Sequence, residues 1–323
     1  MQCIKNLLGL AALAVATGVL AQNYPTRPVT MLVPYAAGGP TDTVARVVAQ
    51  AMMKPLGQTM LVENRPSAGG FLAPEQVKNA KPDGYTILIH HIGMATIPAL
   101  YRSARFNPLT DFEYIGLVND VPMAIIARQN FPAKDFKEFL SYIKANKEKV
   151  TLANAGIGAA SHLCGLLFMS AIQTNFLTVP YKGTGPAMND LLGGQLDYFC
   201  GNLGGYVPLV QAKQVKAIAL LSRERSALMP ELATAHEQGM ADLDVVTWTA
   251  FFLPKGAPKA VVDKLIAITQ AAMDTPAIKT RMLEIGVTGV APARRSPEYL
   301  AKFVVEEIER WEGPIKAAGL QVE

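Results

Sequence analysis

"VPYAAGGPTDTVAR", Val33 to Arg46, reads as a strand that runs into two glycines and then a helix. Apolar Val44, Val47, Val48, Ala51 and Met52 recur at i, i+3, i+4, i+7 and i+8, the buried face of a helix that Pro55 and Gly57 end. In an open α/β sheet, ligands sit beyond the carboxyl ends of the strands. Gly38 and Gly39 carry no Cβ to block a close approach to the backbone, and Thr41 is placed to cap the helix. The helix dipole brings about half a positive charge to this end, so the junction suits an anion. It is not a phosphate loop, which needs Gly-Lys-Ser/Thr, nor a dinucleotide fingerprint, which needs a third glycine. Asp42 would repel a phosphate. Its expected role is local: it complements the dipole and pairs with Arg46 one turn on.

Outward from this stretch, short β-branched runs alternate with helical segments, as in a parallel sheet covered by helices on both faces. The strands are expected at Val29–Val33, Thr59–Glu63, Tyr85–His90, Thr151–Ala153, Phe176–Val179, Asp197–Cys200 and Val215–Leu221. Two composition changes interrupt the pattern, "FNPLTDF" at Phe106–Phe112 and "SRERSALMP" at Ser222–Pro230, and they read as passages between two lobes. After the first come two apolar stretches, Tyr114–Val118 and Pro122–Ala127, with no helix between them. The resulting class is α/β, two lobes flanking a cleft, with residues 22–122 and 225–296 as one lobe and 123–224 inserted as the other. Residues 297–323 form a packing helix whose apolar face is Leu300, Phe303, Val304, Ile308, Trp311 and Ile315, with Glu306, Glu307, Glu309 and Arg310 mostly off it.

Lys5 and Asn6 precede the apolar run Leu7–Leu20, and Val19-Leu20-Ala21 is a small-x-small cleavage site, so residues 1–21 read as an export signal. The expected location is the periplasm. The 323 residues carry a net charge of +4 with no basic stripe, which argues against nucleic acid as a partner. Cys164 and Cys200 would survive cleavage. They can pair in an oxidising compartment, but their separation in space is not written in the sequence, and two buried free thiols are the preferred reading. Neither has neighbours at metal-ligand spacing, so no metal site or cofactor is expected.

A second junction, "LANAGIGAASHLCG" at Leu152–Gly165, repeats the strand, glycine turn and helix, with Gly156 and Gly158 in the turn and Ser161 and His162 in the first helical turn. If both turns face one cleft, a small anion meets two helix N-termini. A third, "VPYKGTGPAMNDLLGGQLDYF" at Val179–Phe199, offers Lys182 as a cation and Tyr181 as a rim ring, with Asp197 read as a local hydrogen-bond organiser. His90 and His91 alternate across a strand, so one of them, taken as His91, faces the ligand. Catalysis has no visible set of residues. Ser161 and His162 are adjacent on a helix and cannot face each other, there is no Gly-x-Ser-x-Gly elbow, and no spacing points to His236.

"VPYAAGGPTDTVAR", "VENRPSAGG", "KPDGYTIL", "FNPLTDFEYIG", "VPYKGTGPAMNDLLGGQLD" and "WTAFFLPKGAP" occur in the order and near the spacing of the Bug family, periplasmic solute-binding receptors of tripartite tricarboxylate transporters. The chain resembles that family over its whole mature length. The resemblance implies a two-lobed Venus-flytrap fold, in which Tyr35, Ala37, Gly38, Gly39 and Thr41 hold a carboxylate from one side. Gly156, Gly158, Ala159, Ala160, Ser161, His162, Lys182 and Asp197 would hold it from the other. It also implies a monomer that delivers its ligand to a membrane permease without chemistry. Family ligands range from citrate and dicarboxylates to acidic amino acids, nicotinate and terephthalate, and the extra imidazole and the Tyr35 ring make an aromatic mono- or dicarboxylate worth testing. Two departures stand out: "SHLCGLLF" puts Leu166 where relatives carry an acidic residue, and the His90-His91 pair replaces smaller neutral residues. A ligand sensor, or an exported hydrolase using the same cleft, are the competing readings.

Overall fold

The computed structural model describes residues 24–317 and 319, apart from 182, 241 and 242; the export segment at 1–21 and Lys182 lie outside the described residues. In chain order the strands and helices are β1 (Val29–Val33), α1 (Pro40–Leu56), β2 (Met60–Asn64), α2 (Leu72–Lys78), β3 (Thr86–His91), α3 (Gly93–Leu100) and β4 (Phe112–Arg128). Then come α4 (Phe136–Ala145), β5 (Thr151–Asn154), α5 (Ala160–Ala171), β6 (Leu177–Pro180), α6 (Thr184–Leu192), β7 (Tyr198–Asn202), α7 (Val207–Gln211) and β8 (Val215–Leu220). The chain closes with β9 (Val246–Pro254), α8 (Lys259–Asp274), α9 (Pro276–Glu284), β10 (Thr288–Gly289) and α10 (Pro297–Ala317). Several expected strands lie one residue further on than the apolar runs suggest, among them β2, β3 and β6.

The sheet runs β2-β1-β3-β9-β4-β7-β5-β6, with β8 and β10 also on β4. Its outer strands are parallel, as β1 is to β2 and β3, and β5 to β6 and β7. The centre is antiparallel, because β9 runs against β3 and β4, and β4 runs against β7 and β8. The sheet is therefore mixed, not parallel throughout. The two apolar stretches after residue 112 are one 17-residue strand. Up to Pro122 it pairs with β9, and from Met123 with β7 and β8. Pro122, which has no N–H to give to a ladder, sits where the partner changes. The chain returns alongside: Leu221 N–H donates to Met123 O, Val245 N–H to Leu221 O and Met123 N–H to Val245 O. The 106–112 stretch forms a turn in which Asp111 accepts from the Asn107 N–H and pairs with Lys78.

α1 buries Val44, Ala45, Val48, Ala49, Met52 and Leu56, packs on α8, and stops at Gly57, whose φ of +71° and N–H to Met53 O close the last turn. α10 buries Leu300, Val304, Trp311 and Ile315 against β4, α3 and α5. Glu307, expected on the solvent side, is instead buried, where its carboxylate accepts from the indole N–H of Trp248 at 2.8 Å and pairs with Arg310. A buried carboxylate needs such partners. Cys164 and Cys200 are not free thiols: a disulfide joins α5 to β7 with the Cα atoms 5.9 Å apart.

Candidate ligand-binding site

The first turn is organised by its own helix. The Gly38 N–H donates to Asp42 Oδ2 at 2.8 Å, Arg46 Nε donates to the same oxygen at 2.9 Å, and Asn64 Nδ2 donates to Asp42 Oδ1 and to Tyr35 O, each at 2.9 Å. Burial would raise the pKa of Asp42, but the bonds from Arg46, Gly38 and Asn64 outweigh it and hold the carboxyl below its ordinary value. Asp42 is therefore committed to the turn. The N-cap is Gly39, not Thr41, with no side-chain cap, and Pro40 opens the helix. The amides of α1 from Thr41 on take no side-chain cap, and the loop before them is exposed. Gly38 needs to be glycine, at φ +81°; Gly39 does not, since its φ is −75° and a Cβ would rest 3.4 Å from Ala36 O.

The second turn is built the same way. The Gly158 N–H donates to His162 Nδ1 at 3.2 Å, four residues on, as Gly38 does to Asp42. Gly158 lies at φ +77°. Ser161 Oγ accepts from the Ala155 N–H and Asn154 Oδ1 from the Gly156 N–H, each at 2.9 Å. Ala159 caps α5 with no side-chain bond, so the first amides of this helix, at Ala160 and Ser161, also stay open. His162 is 5% exposed, and burial pulls its pKa down to about 4, so the ring is neutral and carries its proton on Nε2.

The two turns meet at an aromatic wall. Tyr35 stacks on His91 with ring centroids 4.7 Å apart, and its hydroxyl donates to Gly69 O at 3.2 Å. Burial, helped by Tyr101, keeps that hydroxyl protonated. His90 lies edge-on to both rings. His91 ends its strand, and the chain bends at Ile92 into α3. His91 Nδ1 accepts from the Gly93 N–H at 2.9 Å, and burial together with His90 pushes its pKa well below 6.5. From the other half, a Cβ on Gly158 would lie 3.3 Å from the Tyr101 ring and 3.4 Å from Gly69 Cα. The Tyr101 hydroxyl donates across the gap to Ile157 O at 2.8 Å.

That bond exists only while the halves are together, so Tyr101→Phe is expected to weaken ligand binding roughly two- to tenfold, from the loss of about 0.5–1.5 kcal/mol. Titration calorimetry checks it. Unchanged affinity would remove Tyr101 from closure.

Tyr35, Gly38, His91, Gly158, Ser161 and His162 are thus brought together, with Ala37, Gly39, Thr41, Gly156, Ala159 and Ala160 in the two turns. Asp197 is not among them. It sits at the opposite end of the sheet, accepting from Thr151 N–H at 2.9 Å and from Arg128 Nε at 3.1 Å where β5 starts. Gly69, Gly70 and Tyr101 were not read as site residues. The repeated strand-to-glycine pattern in "VENRPSAGG" was the available signal. Among the described residues no cluster of His, Cys, Asp and Glu could hold a metal, and no helix is long and apolar enough to cross a membrane.

Comparison with known proteins identifies the family and the fold. The profile of the tripartite tricarboxylate transporter family receptor matches residues 44–320. A UPF0065 protein of Agrobacterium vitis is 41% identical over 297 residues, 92% of this chain and 86% of that one. The solved periplasmic binding protein BugD is 46% identical, covering 93% of this chain and 100% of that chain with a TM-score of 0.86. MatC of Rhodopseudomonas palustris, solved with bound malate, is 38% identical over 90% of this chain and 100% of that chain, with a TM-score of 0.84. The chain belongs to the tripartite tricarboxylate transporter receptor family, and is a two-lobed solute-binding protein of the periplasmic type.

Proposed function

We propose that this protein, exported by the segment at 1–21, captures a small carboxylate between residues 22–122 with 225–296 and residues 123–224, and delivers it as a monomer to a tripartite tricarboxylate transporter permease. The observation that carries the reading is the pair of matched turns: two helix N-termini without side-chain caps, each presented by a glycine whose N–H is held from one turn on, and meeting at the Tyr35–Tyr101 wall. Such ends favour an anion without a buried cation. The charge nearest them in the described turns is Asp42, already paired with Arg46. Binding without chemistry is supported by Ser161 and His162, whose Oγ and Nδ1 are spent on the turn and not on each other. The malate bound to MatC supports a carboxylate of that size.

A thermal-shift panel of dicarboxylates, tricarboxylates, acidic amino acids and aromatic acids tests it. A ligand at one hundred times its dissociation constant adds about 2.7 kcal/mol. No shift with any carboxylate, on protein shown to be folded, would overturn the carboxylate reading.

A further inference from the structure

We propose that the C-terminal helix α10 is a strap across the two halves, pinned where they join by Glu307 and Arg310, and that the pin favours the arrangement in which the halves touch. This deepens the capture reading and rests on it. At the join, Met123 of β4, Leu221 leaving β8 and Val245 entering β9 bond one another. Just beyond it, Arg223 Nε donates to Asp244 Oδ2 at 3.2 Å and ties the last two segments together. From α10, Arg310 donates to Asp244 O through one terminal nitrogen and to Glu307 Oε1 at 3.1 Å through the other. Glu307 Oε2 accepts from the indole N–H of Trp248 on β9 at 2.8 Å, and from that of Trp311, one turn along α10, at 3.4 Å. A buried carboxylate and its arginine thus connect the helix, β9 and the join.

Packing alone does not ask for a charge here. A buried ion pair is often no more stabilising than apolar residues of the same volume, while removing one partner is costly. What the network adds is geometry: it fixes α10 against β9 and Asp244 in one register. The helix also reaches both sides of the site. It packs on α3, which ends at Tyr101, and on α5, which begins with the second turn. Those two ends meet in the Tyr101 to Ile157 bond and in the approach of Gly158 to the Tyr101 ring. A helix that only covered one half would touch only one of them. Packed helices slide past each other by small steps, so a change in the angle between the halves must slide α5 along α10 or move α10 off its pin. The pin bonds are made with the halves together, and a contact made in one of two states shifts the population toward that state.

Stopped-flow tryptophan fluorescence of the intact exported protein tests this, since the chain's two tryptophans are the two that bond Glu307. The probes are malate, citrate, glutamate and terephthalate. For whichever binds, Arg310→Met is expected to raise the dissociation rate roughly fivefold or more and to leave the association rate within about twofold. Glu307→Gln should do the same and also alter the change in emission on binding. Lys302→Ala, on the exposed face of α10 and paired with Glu306, should move neither rate. Should Glu307→Gln fail to fold, Arg310→Met decides, because that side chain is partly exposed. An unchanged dissociation rate in the folded variants, or a change matched by Lys302→Ala, overturns the strap and leaves the capture reading intact. If none of the four acids binds, the capture reading fails, and small-angle X-ray scattering without ligand decides the strap. A larger radius of gyration for Arg310→Met than for the wild type upholds it, and superimposable curves overturn it.

Discussion

Lowering the pH from 7 to 4 is expected to take several kcal/mol from the stability of the folded protein, with the loss beginning near pH 6.5. His90 and His162 are both buried, and burial is the largest cause of folded-state pKa values of about 4 against an ordinary 6.5. Each accepts a backbone N–H on Nδ1, from His91 and from Gly158, a bond that a protonated ring cannot accept. Between the two pKa values the unfolded chain binds the proton and the folded one does not, so stability rises with pH in this window. The contribution is whole above pH 6.5 and is lost as the pH falls to about 4, on the order of 3 kcal/mol for each ring. His91 shifts in the same direction. Asp42 acts lower: its depressed pKa adds stability above its ordinary 3.8 that is lost only below it. A domain of ordinary stability, about 5–15 kcal/mol, would be close to unfolding at pH 4. Urea unfolding at pH 7 and pH 5 measures the slope. His162→Asn keeps an acceptor for Gly158 and removes the titration, so it should flatten the profile. Equal stability of the wild type at both pH values would refute the assignment of these rings as buried and neutral.

Local patterns were legible in the sequence, and long-range approaches were not. The glycine turns announced themselves because strand, glycine and helix follow one another within about fifteen residues, and the Asp42–Arg46 pair follows from helical spacing alone. The requirement at Gly38 and the freedom at Gly39 could not be told apart, since φ is a property of the folded turn. Tyr101 reaches the site only because α3 carries it there to meet Ile157, 56 residues later. Asp197 was excludable in principle: it precedes its strand, and ligands sit beyond the other ends. The mixed sheet escaped notice because β4 looks like two strands until its partners are known. Glu307 looked solvated by helical phase, and two tryptophans drew it inward. Tyr101, the pairing of β4 and the Trp248–Glu307 bond each depend on a partner far away in sequence.

The double variant Cys164→Ala, Cys200→Ala is expected to lose about 4 kcal/mol of stability, the loop-closure value for a separation of 36 residues. That corresponds to a fall of roughly 10 °C in Tm. The effect should reach the ligand as well. Cys164 lies one helical step past Ser161 and His162, so the bond to β7 holds in place the end of α5 that presents the second turn. Free of it, α5 is held by packing on β5, β7 and α10, and the alignment of Gly158 against Tyr101 loosens. Both sulfurs are fully buried, so reductant added to the folded protein should act only as fast as the region opens. Thermal unfolding of the variant beside the wild type tests the energy, and a thiol count in denaturant without reductant tests the bond. Two titratable thiols per chain in protein matured under oxidising conditions would show the pair to be reduced, and an unchanged Tm would show that the link adds nothing to the fold. A normal Tm with weakened ligand affinity would instead place its whole effect on the turn, as a strut for α5 and not as a staple for the domain.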